Sequence, residues 1–343
     1  MIKHSKFSAS SSERWLRCTG SIFLIEKYKD EIKEKPSIFA EEGTLAHDIA
    51  DKILRGVEHQ ECDETMLNYI MEYVNYIRRY LNNIEGAIGY SETKLHYDNV
   101  VTGGFGTCDY SIIAPEEIHV FDLKYGKNLK VEVKNNTQLQ LYAIGVMNNI
   151  SDQERSKIKN IIMHIVQPRI GNIVSWTITS DQLADFGYYA MTRAIEALED
   201  TPKFTPSNEA CLYCPAKPFC KASHNLIKHE ILKGFVFDDI VSDSELKVVL
   251  DHKNLIKKYL EDVESLVYDR LNAGIKFNGY KLTVGHKTSK WTSDAERYLL
   301  FKLGQDAYQK KLITITEARR IIGNDVEEFV ERIDTSPRLS KEN

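Results

Sequence analysis

The sequence has no apolar run long enough to cross a membrane, so a membrane partner is not expected. Its opening stretch, MIKHSKFSAS, carries charge with no apolar segment behind it, and so does not read as a secretory signal. There is no excess of positive charge. Lys and Arg number 45 and Asp and Glu 50, a formal net charge of −5. That argues against a chain that coats nucleic acid non-specifically, but leaves room for a local basic groove. There is no internal repeat. Cysteine is sparse, with six in 343 residues. In the cytosolic setting these absences imply, clustered cysteines serve more often as metal ligands than as disulfides.

What is present is an ordinary globular composition, 42% hydrophobic and 28% charged. Only a polar tail, 335–343, reads as flexible. A first helix starts near Ser10–Ser12, where serine can cap it, and carries Trp15, Leu16, Cys18 and Ile22. Helices follow at 39–54 and 63–83. Residues 89–97, 105–113 and 118–124 then read as strands, with a Gly break at 102–104 and a turn at 114–117. A helix over 137–148, strands at 161–166 and 173–178 and a helix from Ser180 complete an α/β pattern. Residues 201–224 form a loop bearing Pro and Cys. The composition changes near 225, and 225–334 read as a mainly helical extension with a short strand at 280–284. A capping box at Ser293–Glu296 is expected to open a helix there.

Asp109 and Asp122 fall on adjacent, antiparallel strands. Two carboxylates brought together this way suit a hard divalent cation. Lys124, two residues after Asp122, points to the same side. Two anions for a metal and one cation for a phosphoryl group are what phosphodiester hydrolysis requires. An Asp-x-Lys pair alone is also what any surface hairpin offers. His47, four residues after Gly43, could supply a nitrogen ligand or be a plain core histidine. Gln138 and Tyr142 share a helix face at i and i+4 and could hold a phosphate or water. Lys127, Lys130 and Lys134 follow Lys124 with Glu132 between them, a stretch that could track a phosphate backbone. Tyr125 could stack on a base. The basic run at 286–290 before Trp291 suits nucleic acid or an edge strand.

Cys211, Cys214 and Cys220 cluster in the Pro-bearing loop, and Cys18 is the best candidate for a fourth ligand. Spacing alone does not separate zinc from an iron–sulfur cluster. Cys108 and Cys62 read as structural.

In this order, His47, Asp109, Asp122-Leu123-Lys124 and Gln138-x3-Tyr142 inside a one-plus-three cysteine embrace resemble the iron–sulfur RecB-like PD-(D/E)xK nucleases. That superfamily includes AddB-type helicase-nucleases and CRISPR-associated exonucleases. Residues 40–47 and 166–169 resemble a phage and prophage branch. The likeness covers about 8–224, with a weaker one near 279–291, and no helicase is fused to it. It implies a restriction-endonuclease-like core, a mixed central sheet flanked by helices, over 1–224. It also implies a DNA exonuclease or end-processing enzyme working on single strands or duplex ends in the bacterial host cytoplasm, with a recombinase or single-strand-binding partner. His47, Asp109, Asp122 and the Leu123 carbonyl would hold Mg²⁺ or Mn²⁺, and Lys124 would be the catalytic lysine. Gln138 and Tyr142 would order the site or contact DNA. Cys18, Cys211, Cys214 and Cys220 would hold a [4Fe–4S] cluster, with zinc as the alternative. The competing expectation is a catalytically silent nuclease fold that binds DNA or a partner and is stabilised by the four-cysteine site.

Overall fold

The computed structural model describes residues 5–32, 38–127, 129–234, 243–283, 288–308, 312, 315–333 and 338–341. It divides into two compact units, Met1–Tyr259 and Leu260–Asn343. The composition change near residue 225 falls inside a helix, Lys221–Gly234, of the first unit.

The first unit is α/β, as expected. Its sheet runs β1 (Ile88–His96), β2 (Phe105–Ile113), β3 (Glu117–Leu123), β4 (Asn160–Gln167) and β5 (Asn172–Thr179), in that spatial order. The pairs are antiparallel except β3 with β4, which is parallel. A parallel pair needs a crossover, and α5 (Thr137–Asn148) with the short α6 (Asp152–Arg155) supplies it. Asn136 caps α5 by accepting the Leu139 N–H at 3.1 Å. β4 is nearly continuously apolar because both its faces are covered.

One face of the sheet carries Ile118, Val120, Ile161, Met163 and Ile165. It packs against α1 (Ser12–Arg17), α5 and α7 (Ser180–Glu196). The other face, with Ile112, Phe121, Leu123 and Val166, packs against α3 (Ile38–Arg55) and α4 (Glu64–Asn83). Between α1 and α3 lies α2 (Gly20–Lys27), and beyond α7 come α8 (Asn208–Leu212), α9 (Lys221–Gly234), α10 (Asp243–Asp251) and α11 (Lys253–Asn272). No helix among the described residues is long and apolar enough to cross a membrane.

The second unit differs from the expected helical extension with one strand. It holds two antiparallel ribbons, β6 (Tyr280–Thr283) with β9 (Arg338–Lys341) and β7 (Thr288–Trp291) with β8 (Val330–Ile333). Part of the expected flexible tail is therefore the strand β9. Helix α12 (Ala295–Leu303) starts after Asp294, with no side-chain cap in place of the expected capping box. Helix α13 spans Ile315–Ile322. Trp291 packs against the small core of Leu299, Ala307, Ala318 and Val326. His286 and Lys287 of the basic run lie outside the described residues.

A polar chain crosses the α4 side of the sheet. Glu117 Oε1 lies 3.1 Å from His119 Nε2, His119 Nδ1 lies 3.0 Å from His164 Nε2, and His164 Nδ1 lies 3.1 Å from the Tyr76 hydroxyl. One set of tautomers satisfies all three contacts. Tyr76 donates to His164, His164 to His119, and His119 to Glu117. His164 is fully buried and stacks on Phe121 at 4.2 Å. Burial, and then the neighbouring His119, hold its imidazole down at about 2 against an ordinary 6.5. The unfolded chain takes up that proton near its ordinary value, so the stabilisation is full above about pH 6.5 and is lost as pH falls. Each unit below that costs ~1.4 kcal/mol for one proton. Urea unfolding at pH 7.5 and 5.5 should show the drop, and His164→Gln should flatten it. Equal slopes in the two proteins would remove His164 as its source.

Candidate active site

Three carboxylates stand in one row across β1, β2 and β3. The pairs Ser91 with Tyr110 and Thr93 with Cys108 set Glu92 opposite Asp109. Tyr110 pairs with Phe121, and continuing that register by one residue sets Asp109 opposite Asp122. Like charges directly opposite one another destabilise a sheet, and here the regular pairing breaks. Glu92 and Asp109 drop out of the ladder, and the Leu123 N–H donates to Asp109 Oδ2 at 2.7 Å. Glu92 also takes φ = 43°, the left-handed region that a non-glycine residue rarely adopts. Such strain costs about 1–3 kcal/mol and gathers at functional sites.

Side chains from both helical layers converge on the row. From α3, His47 Nδ1 lies 3.3 Å from Asp109 Oδ1. Among the described residues, His47, Glu92 and Asp109 form the set whose ligand atoms all lie within 4.8 Å of one another. Burial lowers the His47 imidazole, but Asp109 outweighs that and raises it to about 9. Burial, then Asp109, raises Glu92 to about 7. From α4, the buried Tyr73 hydroxyl has no hydrogen-bond partner and sits in the field of Asp109, Asp122 and Glu92.

Asp122 is 2% exposed. Lys124 Nζ lies 2.9 Å from its Oδ2 and donates to its Oδ1 at 3.2 Å. From α5, Gln138 Nε2 donates to Asp122 Oδ1 at 3.1 Å, and Lys124 Nζ donates to Gln138 Oε1 at 3.1 Å. Gln138 Nε2 also meets the Tyr142 hydroxyl at 3.1 Å. Burial lowers Lys124, but Asp122 and Asp109 outweigh it and hold the ammonium above its ordinary value. Burial pushes Asp122 up, with Lys124 opposing. Tyr142 fits because position 106 is glycine; a Cβ there would lie 2.8 Å from its ring.

The expected residues thus come together, with one addition. Gln138 contacts Asp122 and Lys124, and Tyr142 contacts Gln138, the geometry of the expected ordering role rather than of a nucleic-acid contact. Glu92, absent from the expected set, faces His47 and Asp109, while the Asp122 carboxylate engages Lys124 and Gln138. An acid on a half-exposed strand reads as a solvated residue. Only hairpin arithmetic about the break at 102–104 sets it opposite Asp109. Three carboxylates against one ammonium and one imidazole leave a deficit of positive charge. Together with the unpartnered Tyr73 hydroxyl and an Asp122 Oδ2 without a well-directed hydrogen bond, this donor set fits a hard divalent cation.

The four predicted cysteine ligands are free and buried, and all line one cavity. Backbone contacts bring Cys18 there. The Gly20 N–H donates to the Lys203 carbonyl at 2.8 Å, Thr205 Oγ1 donates to Arg17 O, and Arg193 Nε donates to Leu16 O at 2.7 Å. Position 20 is glycine because a Cβ would meet the Lys203 carbonyl and the Phe204 ring at under 3 Å. Two cations attend the thiols. Arg14 lies in the field of Cys214 and Cys18, and the fully buried Lys217 lines the cavity and donates to Leu212 O at 2.9 Å. Burial pushes the Cys214 thiol up to about 11 and raises Cys211 as well. Four buried thiols beside a buried lysine and a half-buried arginine fit an anionic thiolate–metal centre. Cys108 is in the core and Cys62 is half-exposed, neither near this cavity's lining.

The expected nucleic-acid contacts fare unevenly. Tyr125 is 6% exposed, and the Arg169 guanidinium covers its ring at 4.7 Å. Stacking on a base is closed to it. Lys127 is exposed and lines a cleft beside Lys124. Lys130 is exposed but paired with Glu132 at 3.0 Å.

A family model for proteins of unknown function, DUF2800, matches residues 4–343. The chain belongs to the DUF2800 family. Solved structures similar to this DUF2800 chain include the crystal structure of SSO0001, at 17% identity and TM-score 0.32, covering 65% of this chain and 89% of that one. Another is a protein named as a putative exonuclease from Eubacterium rectale, at 12% identity and TM-score 0.35, covering 70% and 92%. Likeness at that level assigns no role to any residue of this DUF2800 member.

Glu92 is testable directly. At pH 7 His47 holds its proton and Glu92 is about half protonated. A cation requires both to be free of it. Binding should therefore release protons and tighten as pH rises from 6 to 9. Mn²⁺ calorimetry in buffers of different ionisation enthalpy reads the protons. Glu92→Gln should weaken Mn²⁺ about tenfold or more, and unchanged affinity would exclude Glu92 from the set.

Proposed function

We propose that the chain is a divalent-metal-dependent DNA nuclease of the RecB-like PD-(D/E)xK type, an exonuclease or end-processing enzyme, with a [4Fe–4S] cluster on Cys18, Cys211, Cys214 and Cys220. The observation that carries the reading is Lys124, held between Asp122 and Gln138 beside the row of Glu92, Asp109 and Asp122. A structural hairpin has no use for three facing carboxylates and a strained Glu92.

Mg²⁺ or Mn²⁺ bound at His47, Glu92 and Asp109, with Asp122 and the Leu123 carbonyl alongside, would supply Lewis acidity toward water and the phosphoryl group. The protein's own groups do the rest. Lys124 keeps its proton firmly, so it stabilises charge gathering on the phosphoryl oxygens and does not act as a base. Gln138 fixes Lys124 and Asp122 at one angle, and Tyr142 braces Gln138 from behind. Lys127 adds a phosphate contact at the mouth.

An iron–sulfur cluster rather than zinc rests on the resemblance of the one-plus-three cysteine pattern, whose four thiols line one cavity. A phage recombination or replication setting, with a recombinase or single-strand-binding partner, rests on the resemblance of residues 40–47 and 166–169.

Degradation of DNA with Mn²⁺ tests the chemistry. Lys124→Ala should lower the rate about 10²–10³-fold, and equal degradation by both proteins would refute the mechanism. Tight DNA binding without cleavage in Mg²⁺ or Mn²⁺ would favour the silent module. Purified without oxygen, the protein should be brown with a broad visible band, and Cys18→Ser should lose it. A colourless protein with stoichiometric zinc would overturn the cluster.

A further inference from the structure

We infer that Tyr213, carried on the cysteine loop, is a stacking platform for an unpaired base of a single nucleic-acid strand at the candidate active site. The inference rests on the nuclease reading above. A cleft of about 350 Å³ is lined by His47, Lys124, Lys127, Arg169 and Tyr213. That volume falls in the range of pockets for small ligands, about 300–1,000 Å³. That is room for a nucleotide.

Its charge suits a phosphate backbone. Lys124, Lys127 and Arg169 line it against one acid, Glu42, which is paired with Arg169 at 2.9 Å. Two aromatic rings line the cleft. Arg169 covers Tyr125, so the ring left open is Tyr213, 67% exposed. It is also held still. Ser207 caps the preceding helix α8, the flanking Cys211 and Cys214 are buried, and the Cys214 N–H donates to the Cys211 carbonyl at 3.2 Å. These contacts fix the backbone that carries the ring, so its position at the cleft is set even though its face is open. Base–aromatic stacking is sequence-tolerant, as an enzyme acting along a strand requires. Placed between two cluster ligands, the ring also ties strand binding to the integrity of the cysteine centre.

The test uses the full chain with its metal centre intact, Ca²⁺ in place of Mg²⁺ or Mn²⁺, and single-stranded oligonucleotides bearing 2-aminopurine at either end. Wild type should bind and alter the 2-aminopurine emission. Tyr213→Ala should bind about 5- to 150-fold more weakly and lose the emission change, while keeping the visible band and thermal midpoint of the wild type. Tyr213→Trp should restore both readouts. If wild type binds and, with Mn²⁺, cuts, yet Tyr213→Ala binds equally well, the platform is refuted and the nuclease reading stands. If wild type neither binds nor cuts, the nuclease reading fails first. Equal dependence on Tyr213 for a blunt duplex would overturn the single-strand assignment.

Discussion

The row of Glu92, Asp109 and Asp122 is the constraint the rest of the site answers to. Three carboxylates facing one another across adjacent strands oppose the pairing of those strands. Each neighbouring feature offsets part of that repulsion. Lys124 neutralises Asp122, a protonated His47 meets Asp109, and the Leu123 N–H turns to the Asp109 carboxylate. Glu92 absorbs what remains, through a left-handed backbone and a proton affinity raised to about 7. A sheet assembled only for stability would place one acid here at most.

The fold explains why groups from distant segments arrive together. The row lies where β3 and β4 run parallel, so β3 must leave the sheet and return through α5. That crossover carries Gln138 and Tyr142 over one face, while α3 and α4 carry His47 and Tyr73 over the other. Lys124 stands just beyond the carboxyl end of β3, where its N–H still bonds the Val166 carbonyl at 2.9 Å. Ligand sites of open α/β sheets form outside such strand ends. The proposed metal ligand of one layer and the proposed ordering residues of the other would then adjust separately around one strand.

Much of this was legible because it repeats with a simple period or stands in a short motif. The strands and α5 declare themselves through alternation and helical spacing, and the Asp-x-Lys pair follows from the two-residue repeat of β3. The convergence of Cys18 on the distant loop agrees with a resemblance, not with anything local; the contacts that bring it there, Gly20 N–H to the Lys203 carbonyl and Thr205 Oγ1 to the Arg17 carbonyl, join segments nearly two hundred residues apart. Glu92 was hidden because its importance depends on register and a departure from ideal backbone. Tyr125 misled for the opposite reason. Its neighbours in sequence are lysines, but its neighbour in space is Arg169, 44 residues away, whose guanidinium takes the ring face a base would need. In the second unit, β9 arises by pairing with β6 some sixty residues earlier, which local composition cannot reveal.

The cysteine centre bears on folding as well as on chemistry. A centre shared by Cys18 and Cys220 would close most of the first unit, and closing so long a loop in the unfolded chain costs entropy that grows only slowly with length. The docking of α1 and α2 by Gly20, Arg17 and Leu16 uses backbone groups, so it does not depend on the thiols. What does depend on them is charge. Arg14, which donates to Ser21 Oγ at 2.8 Å, and the buried Lys217, which donates to Leu212 O at 2.9 Å, bring positive charge beside the four thiols. The proposed anionic thiolate cluster would meet both charges, and its binding energy would pass to the fold. The strained carboxylate row and the cationic cavity therefore share one logic under the proposed function: each would be relieved by the ion bound there.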